Sequence, residues 1–103
     1  MLSTLRLQIE ELVTASVREV LQDVSVPIDP IELEKTKDKV HGDFSCNVAL
    51  RLAKQLKKNP VSLADAVCSR IKEKVSTPSF SSLVEKVEVK KPGFINFYLT
   101  PHA

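Results

Sequence analysis

Apolar residues in the first quarter of the chain fall at Leu5, Ile9, Leu12, Val13, Val17, Val20, Leu21 and Val24, in steps of mostly three and four. That period predicts an amphipathic helix from residue 4 to about residue 23, with Ser3 or Thr4 as its cap and Pro27 and Pro30 ending it. Residues 31–36 then switch to alternation, Ile31 and Leu33 against Glu32 and Glu34, which predicts a short strand. A charged loop follows it at residues 36–39.

A second helix, capped by Asp43 or Ser45 and running to about Lys58, would bury Ala49, Leu52, Ala53 and Leu56. Its outer face would carry Arg51, Lys54, Lys57 and Lys58. Asn59-Pro60 both stops this helix and starts the next: Asn59 caps, and Pro60 takes the first helical position, where a missing N–H is harmless. The third helix would bury Leu63, Val67, Ile71 and Val75, with Cys68 in the core beside them.

Residues 76–82 form a turn-rich connection around Pro78, with one helical turn near residues 80–83. Val87 and Val89 alternate with Lys86, Glu88 and Lys90, and after Pro92-Gly93 comes the run Phe94-Ile95-Asn96-Phe97-Tyr98-Leu99. Two strands about a Pro-Gly turn predict a hairpin. The fold class is therefore α+β: a small antiparallel or mixed sheet of about three or four strands packed against three helices, one domain over residues 1–103.

The last strand carries the candidate chemistry. Side chains alternate across a strand, so Ile95, Phe97 and Leu99 make a core face, while Phe94, Asn96 and Tyr98 point the other way. An outward aromatic beside a carboxamide suits an unpaired nucleobase, because the ring stacks on the base and the amide offers a donor and an acceptor to its edge. Lys86, Lys90 and Lys91 beside the turn could meet phosphates. The same spacing also admits a purely structural reading, with Phe94 and Tyr98 under the helices and Asn96 pairing a backbone group at a sheet edge.

Charge sharpens this picture only slightly. The whole chain is at +2, yet residues 1–38 hold eight acids and four bases, whereas residues 39–103 hold five acids and eleven bases. The basic part is the natural face for an anion, and the small total argues against indiscriminate nucleic-acid condensation. Arg51, Lys54 and Lys58 form one stripe, which is either a solvated face or a contact for an RNA backbone.

The two cysteines, without a secretory segment or a long apolar run, read as free thiols of a cytoplasmic protein. His41-Gly42-Asp43, with Cys46 nearby, has the residue types of a catalytic cluster, but a turn at Gly42 and a helix cap at Asp43 or Ser45 explain it more simply. His41, Cys46, Cys68 and His102 lack the ligand spacing of a zinc site, and no metal site is assigned.

His41-Gly42-Asp43-Phe44-Ser45-Cys46-Asn47-Val48-Ala49 and the terminal Pro92-Gly93-Phe94-Ile95-Asn96-Phe97 strand, in this order and at this separation, resemble the N-terminal additional domain of arginyl-tRNA synthetase. The likeness runs over essentially the whole chain. It implies recognition of the D-loop, at the outer corner of arginine tRNA, through the aromatic residue and the Asn two places on, here Phe94 and Asn96. Tyr98, Lys90, Lys91, Arg51 and Lys54 are secondary candidates for that tRNA. Phe rather than Tyr at 94 keeps the stacking face and gives up a hydroxyl, and Cys46 stands where relatives often carry Thr or Ser, tolerable in a helix's first turn.

The resemblance further implies a parent enzyme that attaches arginine to its tRNA with ATP and Mg²⁺, through an arginyl-adenylate, in a catalytic domain of the same chain following Pro101. The HIGH and KMSK signatures of that domain do not occur in these residues. The chain thus reads as a piece of a longer enzyme, with no cofactor of its own, binding tRNA weakly and catalysing nothing by itself. Neither a membrane nor DNA is expected as a partner. The alternative is a free-standing protein-interaction domain that docks a partner chain on its exposed aromatics.

Overall fold

The computed structural model describes residues 2–22, 28, 31–37 and 42–101. The expectations that involve Asp23, Val24, Pro27, Pro30, Lys39, His41 and His102 lie outside the described residues. Helix α1 spans Leu2–Leu21, and its three-four stripe of Leu5, Ile9, Leu12, Val13 and Val17 is buried as the spacing predicts. Ser3 and Thr4 lie within this helix, so neither is its cap. Ser16 is buried in the same stripe and donates its hydroxyl to the Leu12 carbonyl at 2.9 Å, which satisfies it inside the helix.

Strand β1 is only Glu34–Lys35, although the alternation around it holds: Ile31 and Leu33 are buried, Glu32 and Glu34 exposed. Glu10 on α1 keeps this segment in place, accepting from the Leu33 N–H at 2.8 Å and from Arg6 at 3.2 Å. Strand β2, Phe44–Cys46, occupies residues where a helix cap was expected. Helix α2 begins only at Val48 and runs to Leu56, with Val48, Ala49, Leu52 and Ala53 buried. It ends with Lys57 at φ 57°, left-handed, and the Lys57 and Lys58 amides both return to the Ala53 carbonyl.

The Asn59-Pro60 start is as expected: Asn59 Oδ1 accepts from the Ser62 N–H at 3.0 Å ahead of α3, Pro60–Val75. Leu63, Val67, Cys68 and Ile71 are buried on α3, and Val75 is half-buried. A single turn, α4, covers Pro78–Ser81, slightly earlier than its expected place. Strand β3, Val84–Lys90, and strand β4, Phe94–Leu99, form the expected hairpin, and the Lys91–Pro92 peptide is cis.

The four strands pair antiparallel throughout in the order β1-β2-β4-β3. Helix α3 is central to the helical layer, packing on α1, α2 and the β3–β4 hairpin. The core lies between that layer and the sheet face carrying Phe44, Cys46, Val87, Ile95 and Phe97. No helix among the described residues is long and apolar enough to cross a membrane.

Candidate nucleic-acid interface

Glycine 42 and aspartate 43 set the site's geometry. Gly42 sits at φ 85°, and a Cβ there would come 2.6 Å from the Phe97 carbonyl oxygen, so the chain can press this close to β4 only without a side chain. Asp43 then ties three segments together: its N–H donates to the Phe97 carbonyl at 2.8 Å, its carboxylate accepts from the Leu99 N–H at 2.8 Å, and its carbonyl accepts from the Thr36 N–H at 3.2 Å. The Thr36 hydroxyl also donates to the Gly42 carbonyl. Ser45 is thus a residue of β2 and Asp43 the residue just ahead of that strand, tied to β4, which corrects the helix-cap expectation. The reason is that their backbone groups find partners on β4 before the helix begins.

That registration brings Ser45 opposite Asn96 on one side, with Glu88 opposite on the other. Phe94, Asn96, Ser45 and Thr36, with Lys90 and Lys91 at the turn, line a hollow of about 350 Å³. The two primary sequence candidates, Phe94 and Asn96, are brought together in it with both turn lysines. Thr36 and Ser45 were missed, and the signal for Ser45 was there: a Phe-Ser-Cys alternation that would have placed it on the outer face of a strand.

Asn96 departs from the exposed amide that alternation suggested, for it is only 2% exposed. It lies on the third of four strands in spatial order, flanked on both sides, rather than at an edge where the structural alternative put it. Phe94 is half-buried. Among the described residues, Asn96 Oδ1 is the one buried side-chain oxygen or nitrogen without a hydrogen-bond partner in the protein. Leaving such an atom unpaired costs about 1–3 kcal/mol, so an amide kept here for stability alone would be a poor choice.

Tyr98 does not line the hollow; the Lys86 ammonium lies 4.5 Å from its ring centroid, a cation–π contact on the same face. Glu88 bridges Lys86 at 3.0 Å and Lys90 at 3.5 Å. The hydrogen bond with Lys86 holds the Glu88 carboxyl below its usual range and raises the Lys86 ammonium above its own. Arg51 and Lys54 stand exposed on α2, in the helical layer, and are not part of the hollow.

Cys46, expected in a helix's first turn, instead ends β2 with its side chain in the core. Burial pushes its thiol up to about 11, which makes it a poor nucleophile. No three His, Cys, Asp or Glu side chains gather as a metal site among the described residues. A larger hollow of about 540 Å³ lies between α1 and the end of α3, lined by Gln8, Glu11, Leu12, Lys74, Thr77 and Phe80. Its lysine is already paired with Glu19 at 2.7 Å.

The profile of the family described as the arginyl tRNA synthetase N terminal domain matches residues 8–99. An arginine–tRNA ligase of Psychromonas ingrahamii is 37% identical over 101 residues, covering 95% of this chain and 16% of the relative. A ligase of the same name from Chlorobium limicola is 39% identical over 93 residues, covering 89% and 16%. Among solved structures, the arginyl-tRNA synthetase of Thermus thermophilus superposes with a TM-score of 0.68 at 26% identity, over 93% of this chain and 14% of that one. The Plasmodium falciparum arginyl-tRNA synthetase shares the fold, with a TM-score of 0.71 at 17% identity over 95% of this chain and 16% of its own. The chain therefore spans about 16% of the length of the curated relatives it matches, and it belongs to the arginyl-tRNA synthetase N-terminal domain family.

Proposed function

We propose that residues 1–103 form the tRNA-recognition domain at the N-terminus of a cytoplasmic arginine–tRNA ligase, and that this domain binds the D-loop corner of arginine tRNA. One observation carries the reading. Asn96, whose buried amide oxygen has no partner in the protein, lines a hollow together with the aromatic Phe94 and two lysines.

In this reading an unpaired base stacks on Phe94, a donor on its edge meets Asn96 Oδ1, and Lys90 and Lys91 meet the flanking phosphates. The hydroxyls of Thr36 and Ser45 narrow the hollow around the base. Tyr98, Arg51 and Lys54, outside the hollow, are left to backbone contacts. ATP and Mg²⁺ belong to the catalytic domain of the parent chain, and no residue of this domain is assigned to them.

The test is aminoacylation by the full-length ligase carrying Phe94→Ala or Asn96→Ala. Each should raise KM for arginine tRNA with little change in kcat, by roughly 5- to 100-fold for Phe94→Ala if a full base stack is lost. Replacing the D-loop nucleotide should lose its effect in both variants. Kinetics unchanged from the parent in both would refute the assignment.

A further inference from the structure

The outer face of the β3–β4 hairpin carries more positive charge than it offers to an RNA strand. Lys86, Lys90 and Lys91 stand there, yet Glu88 sits between the first two and bridges both, at 3.0 and 3.5 Å. Its cross-strand partner is Asn96, so the carboxylate shares a sheet face with the amide of the base hollow, and side chains so paired lie about 5 Å apart at Cβ. Glu88 itself is not part of the hollow's lining. The lysine side chains are about half exposed and Glu88 about a third, so solvent screens the bridges and stability gives little reason for them.

We propose that Glu88 is a specificity-determining residue that suppresses sequence-independent RNA binding to this hairpin; the inference rests on the tRNA-recognition reading above. An RNA strand with no base in the hollow can gain affinity only by running its phosphates along the lysine strip, and there it meets a carboxylate already holding two of the lysines. A strand whose base is seated on Phe94 and Asn96 is fixed at the Lys90–Lys91 end and passes less of its backbone over Glu88. The carboxylate therefore penalises the wrong RNA more than the right one, a repulsive element built for discrimination.

The experiment measures binding of this chain, by fluorescence anisotropy across a salt series, to an arginine tRNA transcript and to single-stranded oligo(U) of equal length. Wild type is compared with Glu88→Gln, Glu11→Gln, Phe94→Ala and Asn96→Ala. Glu88→Gln should tighten oligo(U) binding by roughly two- to fivefold and arginine tRNA by less. It should also steepen the oligo(U) salt slope by up to about 0.7, one phosphate contact. Glu11→Gln, which removes the same charge from an exposed site on α1, should change neither.

Unchanged or weaker oligo(U) binding by Glu88→Gln, an equal gain for both RNAs, or a matching gain from Glu11→Gln would each overturn the proposal. Failure of the underlying reading looks different: Phe94→Ala and Asn96→Ala would then leave arginine tRNA binding untouched, and the Glu88 inference would fall with it.

Discussion

The two faces of strand β4 are built from neighbouring residues and do opposite jobs. Ile95 and Phe97 are wholly buried against the helices, apolar, and matched by Phe44, Cys46, Val87 and Val89 on the flanking strands. Asn96 is nearly as well shielded, yet it is polar, its oxygen has no partner, and its neighbours are Ser45 and Glu88. Burial alone therefore does not separate core from site. What separates them is whether the buried group is satisfied: the first face is apolar throughout, and the second holds an acceptor with no partner in the protein.

The largest expected effect breaks the first face. Phe97→Ala should destabilise the fold by about 3–5 kcal/mol in chemical denaturation, because the wholly buried ring leaves a cavity. A loss below 1 kcal/mol would mean that the ring is not the keystone its burial implies.

The next effect is read on Cys46, which packs on the same face. Its thiol, raised by burial to about 11 from the ordinary 9.0, holds its proton more firmly folded than unfolded. Stability from this group is present below about pH 9 and is lost as pH rises toward 11, by an amount on the order of 2 kcal/mol. Cys46→Ala should flatten that part of the pH profile, and an identical alkaline decline in the variant would place the cause elsewhere.

The smallest effect sharpens the second face. Asn96→Leu should leave stability unchanged or raise it by about 1 kcal/mol, since it replaces the carboxamide, with its unpaired buried oxygen, by two methyl groups. Arginine tRNA binding by the same variant should fall. A destabilisation beyond about 1 kcal/mol would show the amide to be part of the scaffold and erase the contrast between the faces.

Much of this was legible along the chain. The helix stripes, the Asn59-Pro60 start and the hairpin were readable because each depends on local periods and on caps within four residues. Phe94 and Asn96 came from alternation within a single strand, joined to a resemblance. The turn at Gly42 is as expected, but Asp43 and Ser45 are not caps: a carboxylate and a hydroxyl just ahead of a helical run only look like them. The β4 groups that Asp43 meets, the Leu99 N–H and the Phe97 carbonyl, are more than fifty residues away.

The order of residues alone was enough to decide which faces are apolar and where backbone conformation must change, because side-chain periodicity and capping are short-range. Strand order β1-β2-β4-β3 was decided only in three dimensions, and with it the burial of Asn96, the meeting of Thr36 and Ser45 with it in one hollow, and the position of Glu88 beside that hollow. The physical reason is that a strand's alternation says which way a side chain points but not what stands on either side of it. An amide that would have been wet at a sheet edge became, between two strands, a shielded acceptor with no partner in the protein.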